Sequence, residues 1–160
     1  MKFKLLFALF LIILSGCSDS EVKPGDLVSV NYIGTFDDGE IFDQSDGKLL
    51  TFTVGDHEVI PGFENAVLGM GIGDKKDIKL QPEEAYGLLD SNLILEIPAK
   101  NIENRGESPL VGDIAHLETP DGRQMPATIL EVNSDSIKVD ANHPLAGKIL
   151  NFNIELVEIK

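Results

Sequence analysis

Few residues in this chain are equipped for covalent or metal chemistry. The three histidines, His57, His116 and His143, are widely separated, and the one cysteine, Cys17, follows an apolar leader. There is no His-Glu-x-x-His run and no Gly-x-Ser-x-Gly. Gly69, Gly71 and Gly73 follow a helical pattern instead of opening one, so they do not make a phosphate loop. Neither a metal nor a cofactor is expected, and each histidine reads as surface or turn structure. What remains is aromatic and apolar, with few polar groups: Val30-Asn31-Tyr32-Ile33-Gly34, Gly39-Glu40-Ile41-Phe42-Asp43-Gln44-Ser45, Phe52-Thr53-Val54-Gly55, Glu58-Val59-Ile60-Pro61-Gly62-Phe63-Glu64, Pro82-Glu83-Glu84-Ala85-Tyr86-Gly87 and a last run around Phe152.

Those residues need elements to hold them. Val28, Val30 and Tyr32 alternate with Ser29 and Asn31, the period of a half-buried strand. Asp37-Asp38-Gly39 marks a turn with Gly39 in the left-handed region. Ile41-Phe42-Asp43 and residues 49–54 read as further strands. Residues 61–70 predict the one helix: Pro61 suits its first turn, Phe63, Ala66, Val67 and Met70 share a face, and the glycines that follow end it. Residues 75–80 return as a strand. Leu150, Phe152, Ile154 and Leu156 alternate with Asn151, Asn153 and Glu155, which predicts a last strand with one apolar face. Residues 89–143 differ, with short β-like runs and frequent turn signals. Asp121-Gly122 between the 115–118 and 124–132 runs predicts a hairpin, and Asn133-Ser134-Asp135 a second turn before Ile137-Lys138-Val139. A small β-rich subdomain is expected there.

The first residues point to export. Lys2 and Lys4 precede an apolar run from Leu5 to Leu14, then the small residues Ser15 and Gly16, then Cys17. A positive start, a short apolar segment and small residues before a cut define a secretory signal, and the run is too short for a permanent span of about 20 residues. Leu14-Ser15-Gly16-Cys17 resembles the bacterial lipobox, in which the cysteine is acylated and becomes the mature first residue. A lone thiol in an exported chain is otherwise unusual. The expectation is a signal peptide at residues 1–16 and a lipidated tether at 17–22, in a membrane-anchored lipoprotein facing the periplasm or the outer cell surface. Losing Lys2 and Lys4 with the leader takes 13 basic residues to 11 against 27 acidic ones, a formal charge of −16. That argues against nucleic-acid binding, which needs a basic footprint, and against electrostatic adhesion to anionic lipid.

In their order and spacing, the aromatic and apolar runs resemble the FKBP-type peptidyl-prolyl cis-trans isomerases, from Val22 to about Leu88 and again from about Leu145. The middle resembles the insert-in-flap domain of the SlyD-like branch, and Asp140-Ala141-Asn142-His143-Pro144-Leu145-Ala146-Gly147 matches that branch's hallmark at the return into the core. The resemblance implies an α+β fold, a curved antiparallel sheet wrapped on one helix. Residues 23–88 and 144–160 would form the isomerase domain, and residues 89–143 a chaperone insert. It implies unfolded or partly folded proline-containing polypeptides as partners, and the chain is expected to be a monomer. Carried over residue by residue, the site is Tyr32, Phe42, Asp43, Val59, Ile60, Phe63, Tyr86 and Phe152. Phe63 stands at the pocket floor, where many members have tryptophan, and Leu50 where others place an aromatic residue.

The resemblance also implies the roles. The Ile60 backbone N–H would hold a substrate carbonyl, Tyr86 would donate a hydrogen bond, and Asp43 would position Tyr32 or polarise the pocket edge. Tyr32 and Phe63 belong partly to the core under either reading. A second reading is a holdase without enzymatic activity, binding unfolded chains through the insert. A metal carrier is not expected, because the histidine- and cysteine-rich tail frequent in the SlyD-like branch does not precede Lys160.

Overall fold

The computed structural model describes residues 21–99, 109–119 and 121–160. Cys17 and the expected leader lie outside these residues. Alternation along two long strands sets the main sheet. Strand β1 (Leu27–Thr35) turns Val28 and Val30 inward, and the last strand, β9 (Leu150–Ile159), buries Leu150, Phe152, Ile154 and Leu156. The two are antiparallel, from Val28 opposite Ile159 to Thr35 opposite Asn151. Strand β4 (Lys75–Leu80) covers the other edge of β9. The free edge of β1 is shared: β3 (Leu50–Thr53) pairs with its first half and β2 (Ile41–Gln44) with its second. Tyr32 falls in the gap between them. Ser45 closes that gap, its N–H donating to the Tyr32 carbonyl at 3.0 Å and its Oγ accepting the Tyr32 N–H at 3.1 Å.

Helix α1 spans Pro61–Val67 and packs Phe63, Ala66 and Val67 under the sheet. It is shorter than the 61–70 expected. Gly69 is left-handed at φ +75° and donates its N–H to the Val22 carbonyl at 3.0 Å, while Met70 accepts the Val22 N–H at 3.0 Å. Pairing with the incoming chain thus replaces the helix's next turn. Lys76 Nζ donates to the Ala66 carbonyl at 2.8 Å, a cation at the helix's negative end. Val22, placed at the end of the expected tether, is 3% exposed, so the packed core reaches one residue further back than that expectation.

Between β4 and β9 the chain leaves this sheet through two short 3-10 turns, Pro82–Glu84 and Ser91–Leu93. It then builds a second antiparallel sheet from β5 (Ile94–Pro98), β6 (Ile114–Glu118), β7 (Gln124–Val132) and β8 (Ser136–Asp140), in the order β5-β8-β7-β6. The β6–β7 hairpin turns with Gly122 at φ +80°, where the Asp-Gly signal placed it. This sheet has its own core of Ala115, Ala127, Ile129, Ile137, Val139 and Ala141. The main sheet with its one helix gives the α+β class expected.

Candidate active site

Phe152 is the centre of an aromatic cluster under the main sheet. Its ring meets Phe63 edge-on at 5.2 Å, Phe42 edge-on at 5.6 Å, and Tyr32 at 6.3 Å and a tilt of 53°. Phe63 in turn meets Tyr32 edge-on at 5.7 Å and Phe52 at 6.0 Å. Edge-to-face contacts set the positive ring edge against the negative face and are favourable beyond their buried area. The elements explain the convergence. Tyr32 and Gly34 lie two apart on β1 and face the same way. Gly34 stands opposite Phe152 on β9 and opposite Asp43, next to Phe42, on β2. A Cβ on Gly34 would lie 2.7 Å from Phe42 Cζ and 3.0 Å from Phe152 Cε1, so only glycine lets the two rings close up. Phe63, in the first turn of α1, is buried beneath these rings. Leu50 packs half-buried against the same core.

The polar groups sit at the rim. Tyr32 donates its hydroxyl to Asp43 Oδ2 at 2.6 Å, and the Gln44 N–H donates to Asp43 Oδ1 at 2.9 Å. Asp43 is therefore engaged on both oxygens as an acceptor, in keeping with a positioning role. Burial, then the hydrogen bond to Asp43 and its charge, with a smaller effect of Tyr86, push the Tyr32 pKa well above the usual phenol range. Burial, then the charge of Asp43, also raises that of Tyr86. Both phenols keep their protons at neutral pH and remain donors.

Val59 and Ile60 lie in the loop from β3 to α1, half-buried against the main core. The Ile60 carbonyl accepts the Phe63 and Glu64 N–H groups at 3.0 and 3.1 Å, while no hydrogen bond among the described residues uses the Ile60 N–H. Glu64 shapes this loop from below. Its side chain is buried, and its Oε1 accepts the N–H of Gly55 at 2.8 Å and of His57 at 3.2 Å. His57 is held left-handed at φ +56°.

Of the expected site residues, Tyr32, Phe42, Asp43, Phe63 and Phe152 are thus linked in one chain of contacts through Phe152 and Tyr32, and Val59 and Ile60 flank the same core. Tyr86 stands apart from the ring cluster. It is 38% exposed, and its ring stacks on His143 with centroids 4.0 Å apart and planes within 5°. Sequence reasoning missed this role for His143, which it read as turn structure. It also missed Phe36, which tilts against Phe42 at 5.1 Å and carries the Lys148 ammonium 4.6 Å above its own ring. Phe36 directly precedes the Asp37-Asp38-Gly39 turn, and that position was the only available signal. Among the described residues no group of three or more His, Cys, Asp or Glu could hold a metal.

Comparison with known proteins shows the family. Residues 18–157 match the model of the FKBP-type peptidyl-prolyl cis-trans isomerase family. The chain is 37% identical over 140 residues to the FKBP-type 16 kDa peptidyl-prolyl cis-trans isomerase of Escherichia coli, covering 86% of this chain and 93% of that protein. It is 36% identical over 154 residues to the short-type peptidyl-prolyl cis-trans isomerase of Methanocaldococcus jannaschii, covering 87% and 94%. It is also 36% identical over 141 residues to the FKBP-type isomerase SlyD of Aeromonas hydrophila, covering 88% of this chain but 65% of that longer protein. With the family model matched over residues 18–157, and a main sheet packed on the one α-helix among the described residues, the chain belongs to the FKBP-type peptidyl-prolyl cis-trans isomerases.

Proposed function

We propose that isomerisation takes place over the Phe152-centred cluster, with Tyr32, Phe42, Asp43, Val59, Ile60, Phe63, Tyr86 and Phe152 as the site. Rotation about an X-Pro bond faces a barrier of roughly 18–20 kcal/mol and takes tens to hundreds of seconds unaided. The twisted amide loses resonance, and its carbonyl carries less negative charge than the planar one. A pocket of phenylalanines favours that state relative to water, and every 1.4 kcal/mol or so of such preference is worth tenfold in rate. The unused Ile60 N–H suits a substrate carbonyl, and the protonated Tyr86 suits a second acceptor. The observation that carries this reading is the convergence on Phe152 of Phe42 and Phe63, both edge-on, and of Tyr32 at a tilt. Its test is the cis-to-trans relaxation of a proline tetrapeptide with residues 18–160. The parent accelerates it and Phe42→Ala loses most of the acceleration. An alanine variant as fast as the parent would sink the assignment.

The second sheet is proposed as an insert-in-flap subdomain, residues 89–143, that holds unfolded chains. Leu110, Val111 and Ile114 are each more than half exposed on it. Beside them a groove of about 290 Å³ is lined by Ile114, Met125, Pro126, Ala127, Ala141 and Pro144 among others. Replacing residues 89–143 by a short link is expected to abolish suppression of aggregation while leaving tetrapeptide isomerisation measurable. Unchanged suppression would place the holding surface elsewhere. The non-enzymatic holdase reading fails on the tetrapeptide assay if the parent accelerates it.

Cys17 is proposed as the lipid-bearing first residue of an exported protein. Five residue steps separate it from buried Val22, a reach of roughly 18 Å at full extension, so the lipid would hold the domain close to the membrane and to chains folding after export. Cys17→Ser is expected to release the protein in soluble form, and mass spectrometry of the mature N-terminus is expected to show an acylated cysteine. A free thiol there would overturn the tether.

A further inference from the structure

The two halves of the molecule are joined by residues 87–93, leaving the main sheet, and residues 140–147, returning to it. Hydrogen bonds stitch the two segments together at three levels. The Ala141 N–H donates to the Leu93 carbonyl at 2.9 Å. The Asn142 amide accepts the Asp90 N–H at 2.9 Å and donates to the Asp90 carbonyl at 3.0 Å. The Gly147 N–H donates to the Gly87 carbonyl at 2.8 Å. His143 stands on the returning segment between the second and third of these. Its Nδ1 accepts the Leu145 N–H at 3.1 Å, which fixes the ring's orientation and leaves the ring proton on Nε2, and its carbonyl accepts the Ala146 N–H at 2.8 Å.

The ring so fixed lies flat on Tyr86. A tyrosine more than a third exposed ordinarily samples several rotamers, and a hydroxyl that wanders is a poor donor to a bound peptide. A parallel neighbour at 4.0 Å blocks rotation of the Tyr86 ring about its Cβ–Cγ bond and disfavours the other χ1 wells. Nothing else in the described aromatic contacts touches that ring.

We infer that His143 is a positioning residue for Tyr86, and that through this stack the insert's return segment sets how well the pocket orients its peptide. The inference rests on the proposed role of Tyr86 as a substrate donor. Four full-length variants test it by tetrapeptide kinetics and thermal melting: His143→Ala, His143→Phe, Tyr86→Phe and Tyr86→Phe with His143→Ala. His143→Ala lowers kcat/KM about three- to ten-fold, the equivalent of one stacked aromatic pair, and does so mainly through KM. His143→Phe keeps a flat ring and recovers most of the loss. In the Tyr86→Phe background, where no hydroxyl remains to be oriented, His143→Ala costs nothing further. An equal loss in that background means that His143 acts through the backbone and overturns the inference. So does an unaffected His143→Ala beside an impaired Tyr86→Phe, an outcome that leaves Tyr86 in the site. If Tyr86→Phe itself matches the parent, the role of Tyr86 falls and the inference falls with it.

Discussion

Tyr32 and Tyr86 are the only tyrosines in the chain, and it has no tryptophan, so tyrosinate absorbance reports on these two residues alone. Both pKa values are raised in the fold. A phenol of this kind favours folding while protonated: its contribution is complete below the ordinary value of about 10 and is lost as pH rises through the higher folded value. The native absorbance titration is therefore expected to lag that of the urea-unfolded chain, stability to fall above pH about 10, and kcat/KM to show no tyrosine ionisation near neutrality. Asp43→Asn removes the shared charge and brings both titrations down; coincident native and unfolded curves would contradict the geometry at the rim. Gly34→Ala tests the closing of Phe42 on Phe152. The added carbon has no room, so a loss of about 1–3 kcal/mol in urea unfolding is expected, together with a fall in kcat/KM. The resemblance singled out Phe42, Asp43 and Phe152, and the structure places Phe42 against Phe152 and Asp43 on the Tyr32 hydroxyl. The contact of His143 with Tyr86 was not legible in the sequence, because it depends on how two distant connecting segments are stitched together.

At the scale of elements, the loop that carries Val59 and Ile60 has no ladder of its own, and the Glu64 carboxylate is one of its main ties, beside the Asp56 N–H to the Thr53 carbonyl and the Thr53 N–H to Glu58. Glu64 accepts two of its N–H groups and is buried on the helix face below. Glu64→Ala leaves those donors without an acceptor, and hydrogen bonds to a charged group contribute about 1.5–3 kcal/mol. A destabilisation of that size by urea unfolding is expected, with a larger fractional loss of kcat/KM than the melting shift explains, because the loop also presents the Ile60 N–H. A Glu64→Ala protein as stable and active as the parent would show that the loop is held in some other way. Strand positions were readable at this scale because one buried face imposes a period of two. The end of α1 was not: its apolar face continues to Met70, and the helix stops because the chain before it, at Val22, takes the next hydrogen bonds.

In the whole molecule two cores of unequal strength are joined by the connecting segments. The main core buries Phe52, Phe63 and Phe152 with a shell of Val, Ile and Leu, whereas three of the six buried residues of the second are alanines. Local opening follows buried apolar contact, so amides of β7 and β8 are expected to exchange at lower free energy than those of β1 and β9. Equal protection would mean that the halves unfold as one unit. The arrangement of β9 between β1 and β4 has a consequence in time. The second sheet's hairpins close over short stretches of chain, whereas the main sheet joins residue 28 to residue 159, and such long-range pairing is slow. A growing chain would therefore acquire its second sheet first. Until Phe152 is made there is no aromatic centre, and β1 and β4 have no strand between them. A chain ending before Leu150 is expected to retain protected amides in its second sheet and to show no isomerase activity.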